Sequence, residues 1–368
     1  MVIGIDASGA NKKNKTGVEW YSYYLIQELK KISLKKEDNF ILYSPNKLIG
    51  DLGILPPKWQ AKILKWPLKY LWTQIRLSWE MIFNRPDLLF IPSHALPIFC
   101  RTKTVITLHD LGFERLPKAY PFWQRIYTRF VYKWAVNHAS KIITISEFTK
   151  KELIDLYKAD RQKIEVIYLG YDKSIFQLID NEKKIDQILE KYKIKGSYIL
   201  YVGRLEKKKN IKNLLQAFII LQNLSPHLQL VLIGQPGFGY KEIRNYKSKV
   251  KNVIELNYVG HQDLPYLYAR AECFVYPSLC EGFGLPILEA MACGCPVVAS
   301  AVSSIPEIGG EAVLYFRPEN SEEIAKAILK IIKDRELREE LKQRGLERVK
   351  KYSWQKCAEE TLSVITNL

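Results

Sequence analysis

Short apolar runs separated by helix-length amphipathic stretches recur from one end of this 368-residue chain to the other, and no other feature limits the fold as much. In the first half the runs lie at 2–5, 40–43, 88–91, 104–108, 142–145 and 164–168, with helical patterns notably at 18–31 and 122–137. Such runs, mostly apolar rather than strictly alternating, suit strands buried on both faces of a parallel sheet. Residues 172–196 break the rhythm, with six lysines, no clear strand and one helical pattern around 185–192. A second series follows at 198–202, 228–233, 253–256, 273–276, 297–299 and 313–316, with helices at 211–222, 264–269, 287–292 and 322–333. The expected architecture is α/β: a first doubly wound domain over 1–175, a linker over 176–196 and a second over 197–349. Each sheet then offers a ligand crevice at the carboxyl ends of its strands. Residues 336–368 read as one or two helices broken near Tyr352 and Ser353, with Ser353 able to cap the last one.

Apolar residues make up 47% and charged residues 26%, enough to bury a core and unlike a disordered chain. The six cysteines form no dense framework; Cys293 and Cys295 stand close, but no second close pair completes a four-thiolate zinc site. Reduced thiols and a cytoplasmic setting are expected. Lys and Arg number 56 against 39 Asp and Glu, a net +17 that favours an anionic partner: nucleic acid, a membrane surface or a phosphorylated small molecule. No helix-turn-helix, RNA-binding aromatic signature or zinc-finger spacing accompanies the charge, so nucleic acid is not expected. The opening residues MVIGIDASGA read as a first strand entering a loop rather than a signal peptide. No stretch reaches the 18 uncharged apolar residues of a spanning helix. Residues 55–76 carry five Lys or Arg, no acid, and Trp59, Trp66 and Trp72. They suit peripheral contact with an anionic membrane on the inner face of the cell membrane, or a core that swallows the indoles and leaves the lysines solvated.

Several loops carry chemistry. Residues 277–286, PSLCEGFGLP, follow a strand and lead into a helix, so Gly282 and Gly284 allow close backbone approach and the helix start offers N–H groups to an anion. Glu281 in that loop and Glu289 in the helix are candidate acceptors for sugar hydroxyls; a tight loop and a solvated helical glutamate are the plain alternative. Gly203-Arg204-Leu205-Glu206-Lys207-Lys208-Lys209-Asn210 follows another strand, where Arg204 and Lys209 can hold a diphosphate while Lys207 and Lys208 face water. A wholly solvated charge run explains the same residues, and the spacing is not that of a Walker A loop. Gly234-Gln235-Pro236-Gly237-Phe238-Gly239 is a further candidate turn toward ligand. In the first half, Thr16-Gly17-Val18 opens a helix that can approach phosphate or be a plain helix start. His109-Asp110 ends a strand where α/β sheets place functional groups, and a structural histidine fits as well. His94, His138, His227 and His261 have no matching ligand set, and no G-x-S-x-G elbow surrounds Ser146.

The string PSLCEGFGLPILEAMACGCPVVAS at 277–300 closely resembles the signature of family 4 glycosyltransferases, a retaining group with the GT-B fold. The likeness continues through Ser303-Ser304-Ile305-Pro306-Glu307 and Gly309-Gly310-Glu311-Ala312, and upstream through Tyr201-Val202-Gly203-Arg204, Lys209-Asn210 and Val259-Gly260. Gly17, His109-Asp110, Ser146-Glu147-Phe148 and Tyr168-Leu169-Gly170 fall in the family's order, so the resemblance spans nearly the whole chain. It implies two Rossmann-like domains facing across a cleft, with part of 350–368 packed back on the first. It implies a nucleotide-sugar donor held by the second domain and an acceptor approached from the first. Residue by residue, Arg204 and Lys209 would neutralise the donor diphosphate, Glu281 would contact donor-sugar hydroxyls and Glu289 the ribose. Backbone groups at Phe283, Gly284 and Leu285 would hold sugar or phosphate, Gly260 would line the donor site, and Gly17 would approach the diphosphate. His109 would donate to the donor sugar, making His109, Arg204, Lys209 and Glu281 the catalytic set. No metal or other cofactor is implied. Where the family has a Gly-Gly loop, this chain has Asn14-Lys15-Thr16-Gly17. The pattern around Glu281–Glu289 looks most like bacterial or archaeal mannosyl- and related polysaccharide transferases. The resemblance thus implies GDP-mannose as donor, with UDP-glucose or another UDP-sugar next, and a saccharide or lipid-linked saccharide as acceptor. A sugar-nucleotide phosphorylase or epimerase is a narrower rival, and a non-catalytic basic protein on membrane or nucleic acid a broader one.

Overall fold

A computed structural model describes residues 1–33, 38–68, 71–93 and 95–368. His94, and Lys69 and Tyr70 of the basic 55–76 segment, lie outside the described residues. The chain divides into two compact units, one formed by Met1–Leu111, Trp123–Gly170 and Ser353–Leu368, the other by Gly112–Phe122 and Tyr171–Tyr352.

The first unit is built on a parallel sheet of β1 (Val2–Asp6), β2 (Asn39–Ser44), β3 (Trp59–Ile63), β4 (Leu88–Ile91), β5 (Lys103–Leu108), β6 (Lys141–Thr144) and β7 (Ile164–Val166). Their order is β3-β2-β1-β4-β5-β6-β7. The sheet therefore reverses its winding between β1 and β4, where Ile5 pairs with Leu42 on one side and Phe90 on the other. Every residue of β4 is buried, as expected of a strand covered on both faces.

β3 was not expected, and it changes the reading of 55–76. Its sequence WQAKI buries only Trp59, whose ring stacks on Phe40 of β2 at 4.3 Å and 9°. Pairing with β2 makes this polar edge segment a strand; its own pattern does not. Trp72 is also buried, and its indole N–H donates to Leu64 O at 2.9 Å. Two of the three indoles therefore follow the alternative in which the core takes them in, because each finds an aromatic or a carbonyl partner inside.

The last helix, Trp354–Thr366, belongs to the first unit and packs along the Gly17–Leu29 helix, with Trp354 stacked on Tyr24 at 5.4 Å and 18°. Ser353 caps it by accepting from Lys356 N–H at 3.1 Å. A Cβ at Gly170 would stand 2.1 Å from Trp354 N, so only glycine lets the helix seat there.

The second unit carries β8 (Tyr198–Val202), β9 (Gln229–Ile233), β10 (Val253–Leu256), β11 (Cys273–Tyr276), β12 (Val297–Ser300) and β13 (Val313–Phe316), parallel in the order β10-β9-β8-β11-β12-β13. Winding reverses between β8 and β11, which brings the two loops with the strongest sequence signal to adjacent strand ends. Residues 176–196 are not a linker. Their Glu182–Lys191 helix buries Ile185 and Ile188, and both Lys191 Nζ and the Tyr192 hydroxyl donate to Asp263, at 2.6 and 2.7 Å. Two buried isoleucines among lysines make a real but narrow apolar face, easily read as a solvated connector. The first-domain boundary expected at 175 likewise moves, since 112–122 and 171–175 cluster with the second unit.

Candidate active site

The carboxyl ends of β8, β9 and β11 meet in one loop cluster of the second unit. Gly203 leaves β8 with φ +151°, and Gly234 leaves β9 with φ +152°. A Cβ on Gly234 would fall 1.9 Å from Gly203 O, so glycine is required at this crossing. Beyond it, Leu205 N–H donates to Gln235 O at 3.0 Å, Gly237 N–H to Leu205 O at 3.0 Å and Lys207 N–H to Phe238 O at 2.9 Å. The 234–239 turn thus braces the basic loop by backbone pairing.

The other side of the basic loop is fixed to the loop after β11. The Asn210 amide donates to Pro277 O at 3.0 Å and Pro318 O at 2.7 Å, and Leu279 N–H donates to Lys208 O at 2.9 Å. These bonds carry Lys209 Nζ to 2.5 Å from Glu281 Oε1 and 3.1 Å from the Tyr276 hydroxyl. Glu281 is 6% exposed, and its backbone is clamped: its N–H donates to Ser303 Oγ at 2.9 Å, and Ser304 Oγ donates to its carbonyl at 3.0 Å. Burial alone would raise the Glu281 carboxyl, but the charges of Lys209 and Lys208 outweigh it and hold the group below its ordinary value. Burial would likewise neutralise Lys209, and Glu281 reverses that, keeping the ammonium above its ordinary value. The pair is ionised and enclosed.

Of the three consecutive lysines, only Lys207 fits a solvated run, about half exposed with Glu242 at 4.0 Å. Lys208, expected to face water, is half-buried, with Nζ 5.8 Å from the Tyr120 ring centroid. Arg204 is about half exposed, its Nε 3.7 Å from Glu206 Oε2, with its guanidinium at the rim of the cluster. Cations of this kind at one strand end can neutralise a diphosphate, and a buried ionised carboxylate can accept from hydroxyls.

Gly284 has φ +107° and starts the Leu285–Ala292 helix; Pro286 carries no N–H and Ile287 N–H donates to Gly284 O at 2.9 Å, so the first turn offers the Leu285 N–H beside the Glu281 loop. Phe283 turns its ring inward, edge-on to Tyr352 at 5.9 Å, so its backbone is the part that can serve a ligand. Leu285 is half-buried. Glu289, in the same helix, is partly buried and accepts from the Tyr268 hydroxyl at 3.3 Å, which removes the solvated alternative. Burial pushes its carboxyl up to about 7; the Tyr268 bond opposes this and the charge of Asp172 adds to it. Gly260 lies in the turn after edge strand β10, where its carbonyl accepts from Asp263 N–H at 2.8 Å. A cavity of about 1130 Å³ in this unit opens at the opposite, amino-terminal ends of the strands, beside Ser197, Glu272 and Arg338, away from this cluster.

In the first unit His109 ends β5, is 4% exposed and packs edge-on to Tyr21 at 4.8 Å. Its Nε2 lies 3.0 Å from Pro92 O at the end of β4. A carbonyl only accepts, so Nε2 carries the hydrogen, and the neutral ring presents Nδ1 as an acceptor. Donation from Nδ1 to a sugar hydroxyl requires the cationic ring; the neutral ring can accept from one. Gly17 is the first residue of its helix, with open space around the position of a Cβ. Glu19 accepts from Thr16 N–H at 3.0 Å and from Lys12 Nζ at 2.7 Å, placing a carboxylate at that helix start.

Sequence reasoning passed over Asp6. It ends β1 at the reversal point of the first sheet and is 2% exposed; Oδ1 accepts from Ser8 N–H at 2.9 Å, while Oδ2 has no partner. Burial raises its carboxyl above the ordinary value, against the bonds from Ser8. The usable signal was a carboxylate directly after an apolar strand. Tyr276, Tyr268 and Ser303 were given no site role, since nothing local marks them as partners of Glu281 or Glu289.

A family model for glycosyl transferases group 1 matches residues 180–348, and one for Glycosyltransferase Family 4 matches residues 16–174. O-antigen chain mannosyltransferase B of Escherichia coli is 31% identical over 373 residues, 95% of each chain. The chain is a family 4 glycosyltransferase. This glycosyltransferase is also 29% identical over 273 residues to O-antigen chain mannosyltransferase RfbU of Salmonella typhimurium, 73% of this chain and 70% of the relative. Its fold is that of sucrose-phosphate synthase from Thermosynechococcus elongatus, with TM-score 0.79 and 21% identity over 100% of this chain and 98% of the other. Anabaena HepE, solved with UDP and glucose, gives TM-score 0.78 and 19% identity over 100% and 99%. The glycosyltransferase therefore has the GT-B architecture of two Rossmann-like domains. Its second unit brings together Arg204, Lys209, Glu281, Gly284 and Glu289; His109 and Gly17 belong to the first unit and Gly260 to an outlying loop.

Proposed function

We propose that this glycosyltransferase is a retaining mannosyltransferase that moves mannose from GDP-mannose to a saccharide or lipid-linked saccharide acceptor. The buried Lys209–Glu281 pair at the ends of β8 and β11 carries the reading. Breaking the anomeric C–O bond sends its electron pair onto the nucleoside diphosphate, and Lys209 with Arg204 neutralises that charge by preorganised electrostatics. Glu281, held ionised by its lysines, accepts from hexose hydroxyls. It orients the sugar and is not assigned the role of nucleophile, because its free nucleophilicity is tied up by Lys209. Attack comes from the acceptor hydroxyl on the face the diphosphate leaves, with the hydroxyl proton passing to the departing phosphate, so configuration is retained. Glu289 accepts from the ribose hydroxyls, N–H groups around Phe283, Gly284 and Leu285 hold sugar or phosphate, and Gly17 and Gly260 line the donor. His109, as the cationic ring, donates to the transferred sugar.

The names of the two O-antigen relatives support mannose as the sugar. UDP-glucose or another UDP-sugar is the second reading, favoured by the UDP and glucose in HepE. Family membership speaks against a non-catalytic binder. Heat-stability shifts across GDP-mannose, UDP-glucose, UDP-galactose, UDP-N-acetylglucosamine, GDP and UDP test the donor, because a ligand of the native state raises apparent stability. A shift selective for GDP-mannose, followed by an α-linked product on transfer, is expected. A selective UDP-sugar shift refutes the mannosyl reading, and an inverted product refutes retention.

A further inference from the structure

Two helices of the first unit each present an apolar face outward in addition to the face they bury. The Phe122–His138 helix buries Val131, Tyr132, Ala135 and Val136. On its other side Trp123, Ile126, Tyr127 and Phe130 recur at spacings of three and four, all exposed, Trp123 at 78%. The helical stretch Trp72–Leu77 with Ser78–Phe83 buries Trp72, Leu77 and Met81, while Leu71, Ile75, Trp79, Ile82 and Phe83 stay exposed, with Trp79 and Phe83 rings 4.9 Å apart.

The two stripes are neighbours. Trp134 on the first helix donates its indole N–H to Pro97 O at 3.4 Å, and two residues on, Phe99 N–H donates to Ser78 Oγ at 3.4 Å. Phe99, 65% exposed, fills the strip between them. Soluble monomers seldom show an aromatic surface of this extent without a use for it.

Charge selects the occupant. Residues 115–146 contain six Lys or Arg and no Asp or Glu. Residues 52–86 contain six Lys or Arg and the single acid Glu80, which is buried and paired with Arg76 at 3.1 Å and with Lys62. A second copy docked on this face would set cationic rim against cationic rim. An anionic bilayer instead takes indoles and phenols at its headgroup level and Lys and Arg at its phosphates. No helix among the described residues is long and apolar enough to cross a membrane, so such contact is peripheral.

We propose that the first unit docks on anionic lipid bilayers through the 71–83 and 123–134 faces, with Trp79 and Trp123 inserted at the interface. This face shares residues 71–76, with exposed Leu71 and Ile75, with the basic 55–76 segment. The inference does not rest on the mannosyl reading, because vesicles without acceptor or donor test it.

Full-length protein is mixed with vesicles of phosphatidylcholine alone or with phosphatidylglycerol, and partition is read by flotation and by the blue shift of Trp emission. Preferential binding to the anionic vesicles, weakened by salt, is expected. A W79S/W123S variant, altered only at exposed side chains, is expected to partition roughly tenfold or more weakly while keeping its circular dichroism and nucleotide-induced heat stabilisation. Equal binding to both vesicle types, or unchanged partition of the variant, overturns the proposal. So does self-association of the parent in sedimentation that the variant abolishes, which gives the face to a second copy.

Discussion

Glu289 gives the most quantitative test of the donor site. Its carboxyl titrates at about 7 in the unliganded fold, against an ordinary value of 4.5. Ribose hydroxyls donate to the ionised form, so donor binding draws the group back toward its ordinary value and releases its proton. With the unliganded value at about 7, roughly a tenth of the sites are ionised near pH 6 and roughly nine tenths near pH 8. Donor affinity should therefore rise about ninefold across that interval, about 1.3 kcal/mol, and flatten above it. Titration calorimetry with the nucleotide-sugar, whose diphosphate has no ionisation in this range, should show proton release below pH 7 as a dependence on buffer ionisation enthalpy. Glu289→Gln should bind more weakly at pH 8 and lose both the slope and the buffer dependence. A parent enzyme without the slope, or a Gln variant that keeps it, refutes the assignment. Stability carries the opposite sign: the raised value favours the fold fully below pH 4.5, and that contribution is lost as pH rises through about 7.

Lys209→Met or Glu281→Gln alone should abolish transfer and cost about 3–5 kcal/mol in urea unfolding, since each alters a buried ion pair. The double variant should recover most of that stability and none of the activity; recovery of activity would make the pair structural. Gly234→Ala should lower stability by more than 2 kcal/mol or so and disorder the basic loop, because its Cβ meets Gly203 O at 1.9 Å; an unchanged melting temperature would contradict the crossing. Asp6→Asn keeps an oxygen for Ser8 N–H and removes a buried carboxylate, so melting temperature near pH 8 should rise. A fall in melting temperature would show that the carboxylate supports the fold.

What the sequence displayed depended on whether a residue's structure follows from its own neighbours. β4, β8 and β11 are apolar throughout, and β1, β5 and β9 carry buried apolar runs, so they announce themselves. β3 does not, since Trp59 is its single buried residue and β2 supplies the rest of its reason to be extended. The helical pattern around 185–192 was legible, but its packing into the second unit was not, because the buried face of the Glu182–Lys191 helix is two isoleucines wide. Indoles mislead in the same way: Trp59 and Trp72 look like surface anchors beside lysines and are core, whereas Trp79 and Trp123 stand outside that basic segment and are exposed.

The site was legible in its residues and illegible in its pairings, and the difference explains which predictions are strong. Arg204 and Lys209 stand in one loop, and Glu281 and Glu289 in a second loop and the helix it leads into, about 70 residues on in sequence; the resemblance named them individually. That Lys209 meets Glu281 follows only from β8 and β11 being neighbours at the winding reversal, together with the Asn210 amide that ties one loop to the other. Gly234 depends on the other neighbour of β8: its conformation lets the β9 turn pass the β8 turn closely enough to brace the basic loop. Replacing Asn210 with Ala should therefore slow transfer without touching any group that contacts donor. Without its bonds to Pro277 O and Pro318 O, Lys209 is less well held. A variant that loosens positioning in this way lowers kcat more than it raises KM, while removal of a group that binds the ground-state donor directly raises KM. Equal kcat with raised KM would place Asn210 against the donor instead.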